Sequence, residues 1–458
     1  MVSKVKKVCC FLVAISLLSL VGCGKNQREP EVTEKIPKAD GQNHENIDWQ
    51  ESYDEPLPAD YEGTLSMWGW DDAYYKTVTE AFRKKYPNVK FEYTPVENGD
   101  LIQKYKTALI TGGELPDIGW AVMAYRAEIF ELDMWEPLNQ EPYGFDISQV
   151  HECVRPQMMN SKRDVCGIEQ TLAAAGLAYR RDLAEEYLGT DDPKELETMF
   201  PDWQSFIEKG KEVYDNSNGT VYLWPGLADA QQFIREQQGI AWIEGDTIRV
   251  TDTLKHSLDI VCKFRDSHTS DTLEAWTPKW YEALGKGTHI FTGCATWSVA
   301  FEIEQYDPEG KDKGHWGLMS APEGNILWGG TTMGITKTCK DKRLAWEFIK
   351  FATLSTEGAE ALNTLGLLTT AIRPYEENPD LGSYKSPWFG SQDIGDYFLN
   401  EIVPNIRGRK ISVNDSVIHE GLNLINASLR KDSEITSQDA LQYLKDYLKE
   451  ELPDYKIE

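Results

Sequence analysis

The chain has 458 residues and a formal net charge of −28, and it is 41% hydrophobic and 11% aromatic. So much apolar surface excludes a chain disordered throughout, and the length calls for more than one core-bearing unit. The excess of acid excludes a nucleic-acid partner, because polyanions repel such a surface. The 15 tryptophans serve a large core, or flat faces for a ligand with apolar faces and polar edges.

Along the chain, Lys4, Lys6 and Lys7 precede an apolar run, Val8 to Val21, that is too short to span a bilayer. The run ends Leu20-Val21-Gly22-Cys23, which resembles the lipobox of bacterial lipoproteins. That resemblance implies that residues 1–22 are a signal peptide and that Cys23 carries lipid, palmitate included. The signal contains three lysines and no acid, so the remainder is more acidic still. Residues 23–62 read as a flexible acidic tether, with a coil reach of roughly 35 Å. Of the 8 cysteines, Cys153, Cys166, Cys262, Cys294 and Cys339 lie beyond it, widely spaced and without a CxxC pair. They read as buried thiols, with a Cys153–Cys166 bridge left open.

From residue 63 strands and helices alternate. Thr64–Trp70 is β-prone, and Tyr75, Val78, Phe82 and Tyr86 recur with helical period before Pro87-Asn88. Val89–Val96 reads as a strand, Leu101–Ile110 as a helix closed by Gly112-Gly113, and Pro116–Val122 as a third strand. This order predicts a parallel sheet with right-handed crossovers. Ligands of such sheets sit beyond the carboxyl ends of the strands. Those ends carry Trp68, Trp70, Asp71 and Asp72, then Glu97 and Asn98, then Trp120. Later segments repeat the pattern: strands at Gly176–Tyr179, Val221–Trp224, His289–Ala295, Trp316–Ser320 and Met333–Thr336. Helices are expected at Arg181–Tyr187, Trp203–Tyr214, Leu254–His268, Trp280–Leu284, Arg343–Leu354, Glu357–Leu365 and Ser437–Leu452.

The run GTLSMWGWDDAYYKTVTEAFRKKYPNVKFEYTPV, followed by GELPDIGW, resembles the start of family-1 extracellular solute-binding proteins, the sugar receptors of ABC importers, of which maltose-binding protein is one. GLAYRRDLAEEY, FTGCATWSV, WGGTTMGITKTCKDKRLAWEFIKFATLSTEG, PWFGSQDIGDYF and IVPNIR are similar to later elements of the same family, in the same order. The resemblance implies an α/β fold of the type II periplasmic-binding-protein kind, with two lobes joined by a hinge that the chain crosses three times. By analogy the first lobe takes residues 63–155 and 329–355, and the second takes 156–328 and 356–458. It also implies a lipid-anchored monomer on the outer face of the membrane, with a carbohydrate ligand, ABC permease subunits as partners, and no cofactor or metal. The chain departs from the family pattern at Arg180-Arg181, where Asn-Lys is usual, and at Cys294-Ala295-Thr296 before Trp297.

A sugar offers C–H patches on its faces and hydroxyls at its rim, which indoles and carboxylates or amides complement. The candidates are Trp68, Trp70, Asp71, Asp72, Glu97, Asn98 and Trp120 from the first lobe, with Trp328 and Gly330 at the hinge. The second lobe offers Tyr179, Trp224, Asp229, Trp242, Trp297, Trp388 and Gln392. Each has a plainer reading: Trp68 as strand core, Asp71 or Asp72 as a helix cap, Asp117 as a turn. Trp346 reads as core, and Trp135, Trp203, Trp276, Trp280 and Trp316 as core or rim. A glycan-active enzyme would also combine tryptophans with paired carboxylates. Asp71 and Asp72 are adjacent and point apart, and no HExxH, GxSxG, P-loop or GxGxxG is present. An adhesion or sensing module without transport would use the same cleft.

Overall fold

The computed structural model describes residues 53–458, so the expectations for the signal, for Cys23 and for most of the tether lie outside the described residues. The end of the expected tether is not free. Leu57 is buried, Tyr53 packs edge-on to Tyr143 and donates its N–H to Pro142 O, and the Tyr61 hydroxyl donates to Asp341. These apolar side chains anchor residues 53–62 on the first lobe.

The first strand, Gly63–Gly69, alternates buried and open positions. Leu65, Met67 and Gly69 are buried and the positions between them are open, as a period of two requires. Asp71 then caps the helix Asp72–Lys85 by accepting the Tyr74 N–H at 2.9 Å. The strands Val89–Pro95 and Ile118–Val122 flank the first strand in parallel, as the sequence predicts. Thr331–Ile335 and Ile168–Glu169 complete a five-stranded sheet in antiparallel fashion.

The second sheet differs from the expectation of parallel pairing. Its central strand, Ala174–Arg180, pairs antiparallel with Phe291–Ala295, with Trp316–Met319 and with Ile326–Leu327. Val221–Trp224 forms only isolated bridges, at Tyr222 and Trp224. Helices Trp203–Asn216, Leu227–Glu236 and Val250–Asp266 cover this sheet through Trp203, Phe206, Phe233 and Phe264, and Asp415–Leu429 and Ser437–Glu451 pack outside them.

The chain passes between the sheets three times, and the crossings are tied together. Gln170 donates its N–H to Thr331 O at 2.8 Å, Trp328 to Ala173 O at 2.9 Å, and Leu172 to Leu368 O at 2.8 Å. The first crossing therefore lies after Glu169, later than the 155/156 boundary expected from sequence, because Ile168–Glu169 hydrogen-bonds to the first sheet. The last crossing is later too. Helix Thr356–Asn363 packs on Asp72–Lys85 and on Lys342–Leu354, and Gly358 sits so close to Phe351 O that a Cβ would come within 2.0 Å. Beneath the hinge Arg126 and Glu169 form a fully buried ion pair. Burial pushes the Glu169 carboxyl up, against the pull of Arg126. Gly330 passes over this pair at φ 109°, a conformation that suits glycine alone.

All five described cysteines beyond the tether are buried and free, so Cys153 and Cys166 are not bridged. Burial raises both thiols to about 12, which leaves them unreactive.

Candidate functional site: the cleft between the lobes

A cavity of about 410 Å³ opens where the lobes face each other. The first lobe supplies Asn98, the turn Val122–Tyr125 and Glu128, and the second supplies Trp276, Trp297, Gln232, Glu236 and residues 409–419; Ile326–Gly329 form the floor. The first-lobe wall follows directly from the fold. Asn98 lies just past the strand Val89–Pro95 and Val122 ends the strand Ile118–Val122, so both stand at carboxyl ends. Tyr125 is half-buried, and Glu128 is paired with Lys106.

The second-lobe wall has an aromatic half and a polar half. Trp276 and Trp297 are stacked, with ring centroids 5.9 Å apart and planes 23° from parallel. The Trp297 indole N–H donates to Trp328 O at 2.8 Å, which pins the ring to the hinge. Trp276 is held at φ 68° and is 49% exposed. The next residues explain its position: Thr277 caps the helix Pro278–Lys286 with Pro278 at its first turn, so Trp276 falls just outside the helix.

In the polar half, Arg409 donates to Glu236 at 2.9 Å and to Asp415 at 2.6 Å, with its guanidinium 3.7 Å above the Trp242 ring. Burial pushes the Asp415 carboxyl up while Arg409 opposes it. Burial, then the charges of Arg235 and Arg409, hold His419 well below its usual value, so it is neutral at physiological pH. Asp415 Oδ1 and His419 Nε2 have no hydrogen-bond partner in the protein. Buried polar atoms are costly when unpaired, so these two mark the polar half of the wall as short of partners. Among the described residues no group of three or more His, Cys, Asp or Glu side chains is placed to hold a metal ion.

Of the residues expected from sequence, Asn98, Trp297 and Trp328 line this cavity. Gly330 lies one residue beyond the lining Gly329, and its carbonyl accepts the Met123 N–H at 3.0 Å. The others are placed elsewhere. Trp120 is wholly buried, edge-on to Trp70 and Tyr74, and Gly69 leaves it room, since a Cβ there would come within 2.4 Å of the ring. Trp68 lies flat on Tyr105 with the Lys104 ammonium 4.4 Å from its ring. Trp70 is half-buried against Trp120, Asp71 is a cap, and Asp72 is an exposed first-turn acid 3.7 Å from Lys76. Glu97 is exposed and outside the lining.

In the second lobe Trp224 is core against Trp203 and Phe233, and Tyr179 is buried with its hydroxyl donating to Asp191 O. Trp242 is buried behind Arg409 and His419. Trp388 donates to Asp307, and Gln392 ties down Leu318 through both of its amide atoms. Asp229 is buried beside the indoles of Trp224 and Trp280, and burial lifts its carboxyl to about 7. Sequence reasoning missed Trp276, Arg409, Asp415 and His419. The Thr-Pro start after Trp276 was the one available signal, whereas residues 409–419 mostly precede a helix in irregular chain.

The sequence profile of the bacterial extracellular solute-binding protein family matches residues 77–381. Among solved structures, an extracellular solute-binding protein of family 1 superposes with a TM-score of 0.71 at 18% identity, covering 84% of this chain and 99% of that one. The GacH receptor of Streptomyces glaucescens, solved unliganded and with acarbose, gives 0.67 at 19% identity over 87% of this chain and 100% of its own. The galacto-N-biose/lacto-N-biose I-binding protein of an ABC transporter from Bifidobacterium longum, in complex with lacto-N-biose, gives 0.69 at 18% over 87% and 99%. At such identities the structures share the fold, and the profile, which spans most of the body, gives the family: this chain belongs to the bacterial extracellular solute-binding proteins.

Proposed function

We propose that this protein is the lipid-anchored receptor of an ABC importer, which captures an oligosaccharide between its lobes and passes it to a membrane permease. The observation that carries the reading is the second-lobe wall of the cleft, where stacked Trp276 and Trp297 stand beside the partnerless Asp415 Oδ1 and His419 Nε2. The indole faces suit the C–H patches of a sugar and the polar atoms suit its hydroxyls. A hydrogen bond to a charged acceptor contributes about 1.5–3 kcal/mol, so a few such bonds with stacking reach the roughly −8 kcal/mol of micromolar binding. The acarbose and lacto-N-biose complexes of two similar structures support a saccharide ligand.

Closure of the lobes about the three tied crossings would bring Asn98, Tyr125 and Glu128 onto the ligand's other face. A binding role without catalysis is supported by Glu236 and Asp415 Oδ2 being engaged with Arg409 and Glu128 with Lys106. The lipobox-like run Leu20–Cys23 supports anchoring through Cys23 at the outer face of the membrane. Calorimetry of the unlipidated protein against a panel of mono- and oligosaccharides tests the reading. Micromolar binding of at least one is expected, and binding of none overturns it. Release of a Cys23→Ser variant into the medium, with the native protein in the membrane fraction, tests the anchor.

A further inference from the structure

The aromatic surface does not stop at the cleft. From Trp276 the rings continue to Tyr281, at 6.4 Å and 70°, and from Tyr281 to Tyr306, stacked at 3.5 Å and 13°. Tyr306 is 49% exposed, as Trp276 is. The two tyrosines line a second cavity of about 360 Å³ on the second lobe, outside the cleft. Glu302 lines it too. It is 97% buried by accessible surface (3% exposed), and its Oε1 has no hydrogen-bond partner.

The other acids of this cavity are already engaged. Asp307 accepts the N–H groups of Lys311 and Asp312 and the Trp388 indole N–H, while Asp312 lies 3.5 Å from Arg180 and Glu309 pairs with Lys311 at 2.6 Å. Glu302 Oε1 remains as a polar atom in want of a partner, in a cavity also lined by the half-exposed Tyr306. We infer that this cavity is an accessory saccharide subsite, which the far end of a long oligosaccharide reaches along the Trp297–Trp276–Tyr281–Tyr306 strip. Tyr306, backed by Tyr281, would stack a sugar ring on its open face, and Glu302 would bond a hydroxyl. Burial lifts the Glu302 carboxyl to about 8, so at neutral pH it is protonated and can both donate to and accept from a hydroxyl. The subsite would make the receptor selective for chain length.

This inference rests on the saccharide reading of the cleft, and the experiment separates the two. Calorimetry is run with linear gluco- and galacto-oligosaccharides from disaccharide to hexasaccharide, on the native protein and on Tyr306→Ala, Tyr306→Phe and Glu302→Gln. The native protein is expected to bind the longer members more tightly. Tyr306→Ala is expected to lose about threefold to tenfold on the long members alone and to leave the disaccharide unchanged. Tyr306→Phe keeps the ring and keeps the gain, and Glu302→Gln falls between. Affinity independent of length in the native protein, or an equal effect of Tyr306→Ala on all lengths, overturns the subsite and leaves the cleft reading standing. Failure to bind any saccharide overturns both.

Discussion

In the first lobe, Trp70 meets Trp120 edge to face at 5.3 Å and Trp68 lies flat on Tyr105, so the indoles at the strand ends are occupied by one another. In the second lobe, Trp276 lies flat on Trp297 with half of its surface open to the cleft. The same residue type is core in one lobe and lines the cleft in the other. The difference is one of local backbone. Trp120 sits in a strand covered on both faces, where the first four of five positions are buried. Trp276 sits in a loop just ahead of a capped helix, where Trp280 and Trp297 stack on it but leave 49% of it exposed.

The largest effect that tests this contrast is on stability. Trp120→Ala removes a fully buried indole and is expected to cost about 3–5 kcal/mol. Chemical denaturation would show it as a lower midpoint at unchanged slope. Trp276→Ala is the converse. It should leave the denaturation midpoint close to native and weaken saccharide binding by about tenfold to a hundredfold, the ~1.5–3 kcal/mol of an aromatic side chain taken out of water. If Trp276→Ala instead unfolds the protein while binding per folded molecule holds, the two tryptophans have exchanged roles and the contrast fails.

A third test concerns the acid behind the second-lobe wall. Asp229 is protonated in the folded protein up to about pH 7, because burial beside Trp224 and Trp280 disfavours its charge. In the unfolded chain its pKa is about 3.9. Below that value both states hold the proton and the group contributes fully to stability. As pH rises toward 7 the unfolded chain releases its proton while the folded protein must keep it, so stability falls by up to about 1.4 kcal/mol per pH unit. Asp229→Asn removes this dependence. Its melting temperature relative to native should therefore rise between pH 5 and pH 7, and a difference that stays constant would place the native carboxylate in its charged form.

What the sequence showed of this contrast, and what it hid, follow from the same physics. The parallel part of the first sheet was legible because period-two and period-3.6 patterns alternate cleanly from Thr64 to Val122. The strand-end rule located Asn98, which does line the cleft. It could not say where Trp120 points, because a strand buried on both faces has no polar side to mark the other. In the second lobe the polar half of the wall is assembled from distant segments, and Arg409, in irregular chain, acquires its role only through Glu236 and Asp415 on two different helices. The lobe boundaries were misplaced for a related reason. The short strand Ile168–Glu169 and the helix Thr356–Asn363 are assigned to the first lobe by what they touch, not by their composition.

The smallest expected effect bears on the acids of the first lobe. Asp71 stands beside the tryptophans of the first strand's end, and from sequence it serves equally well as a ligand acceptor or a helix cap. In the structure its Oδ1 accepts the Tyr74 N–H at 2.9 Å, at the positive end of the helix Asp72–Lys85. A cap of this kind contributes about 1 kcal/mol, and asparagine replaces it with little loss. Asp71→Ala should therefore lower stability by about that amount and leave saccharide affinity unchanged, while Asp71→Asn should change neither. Calorimetry and denaturation on the same two variants separate the readings. A drop in affinity with Asp71→Asn at native stability would bring the first lobe's strand end back into the binding site, and the division of labour between the two walls would no longer hold.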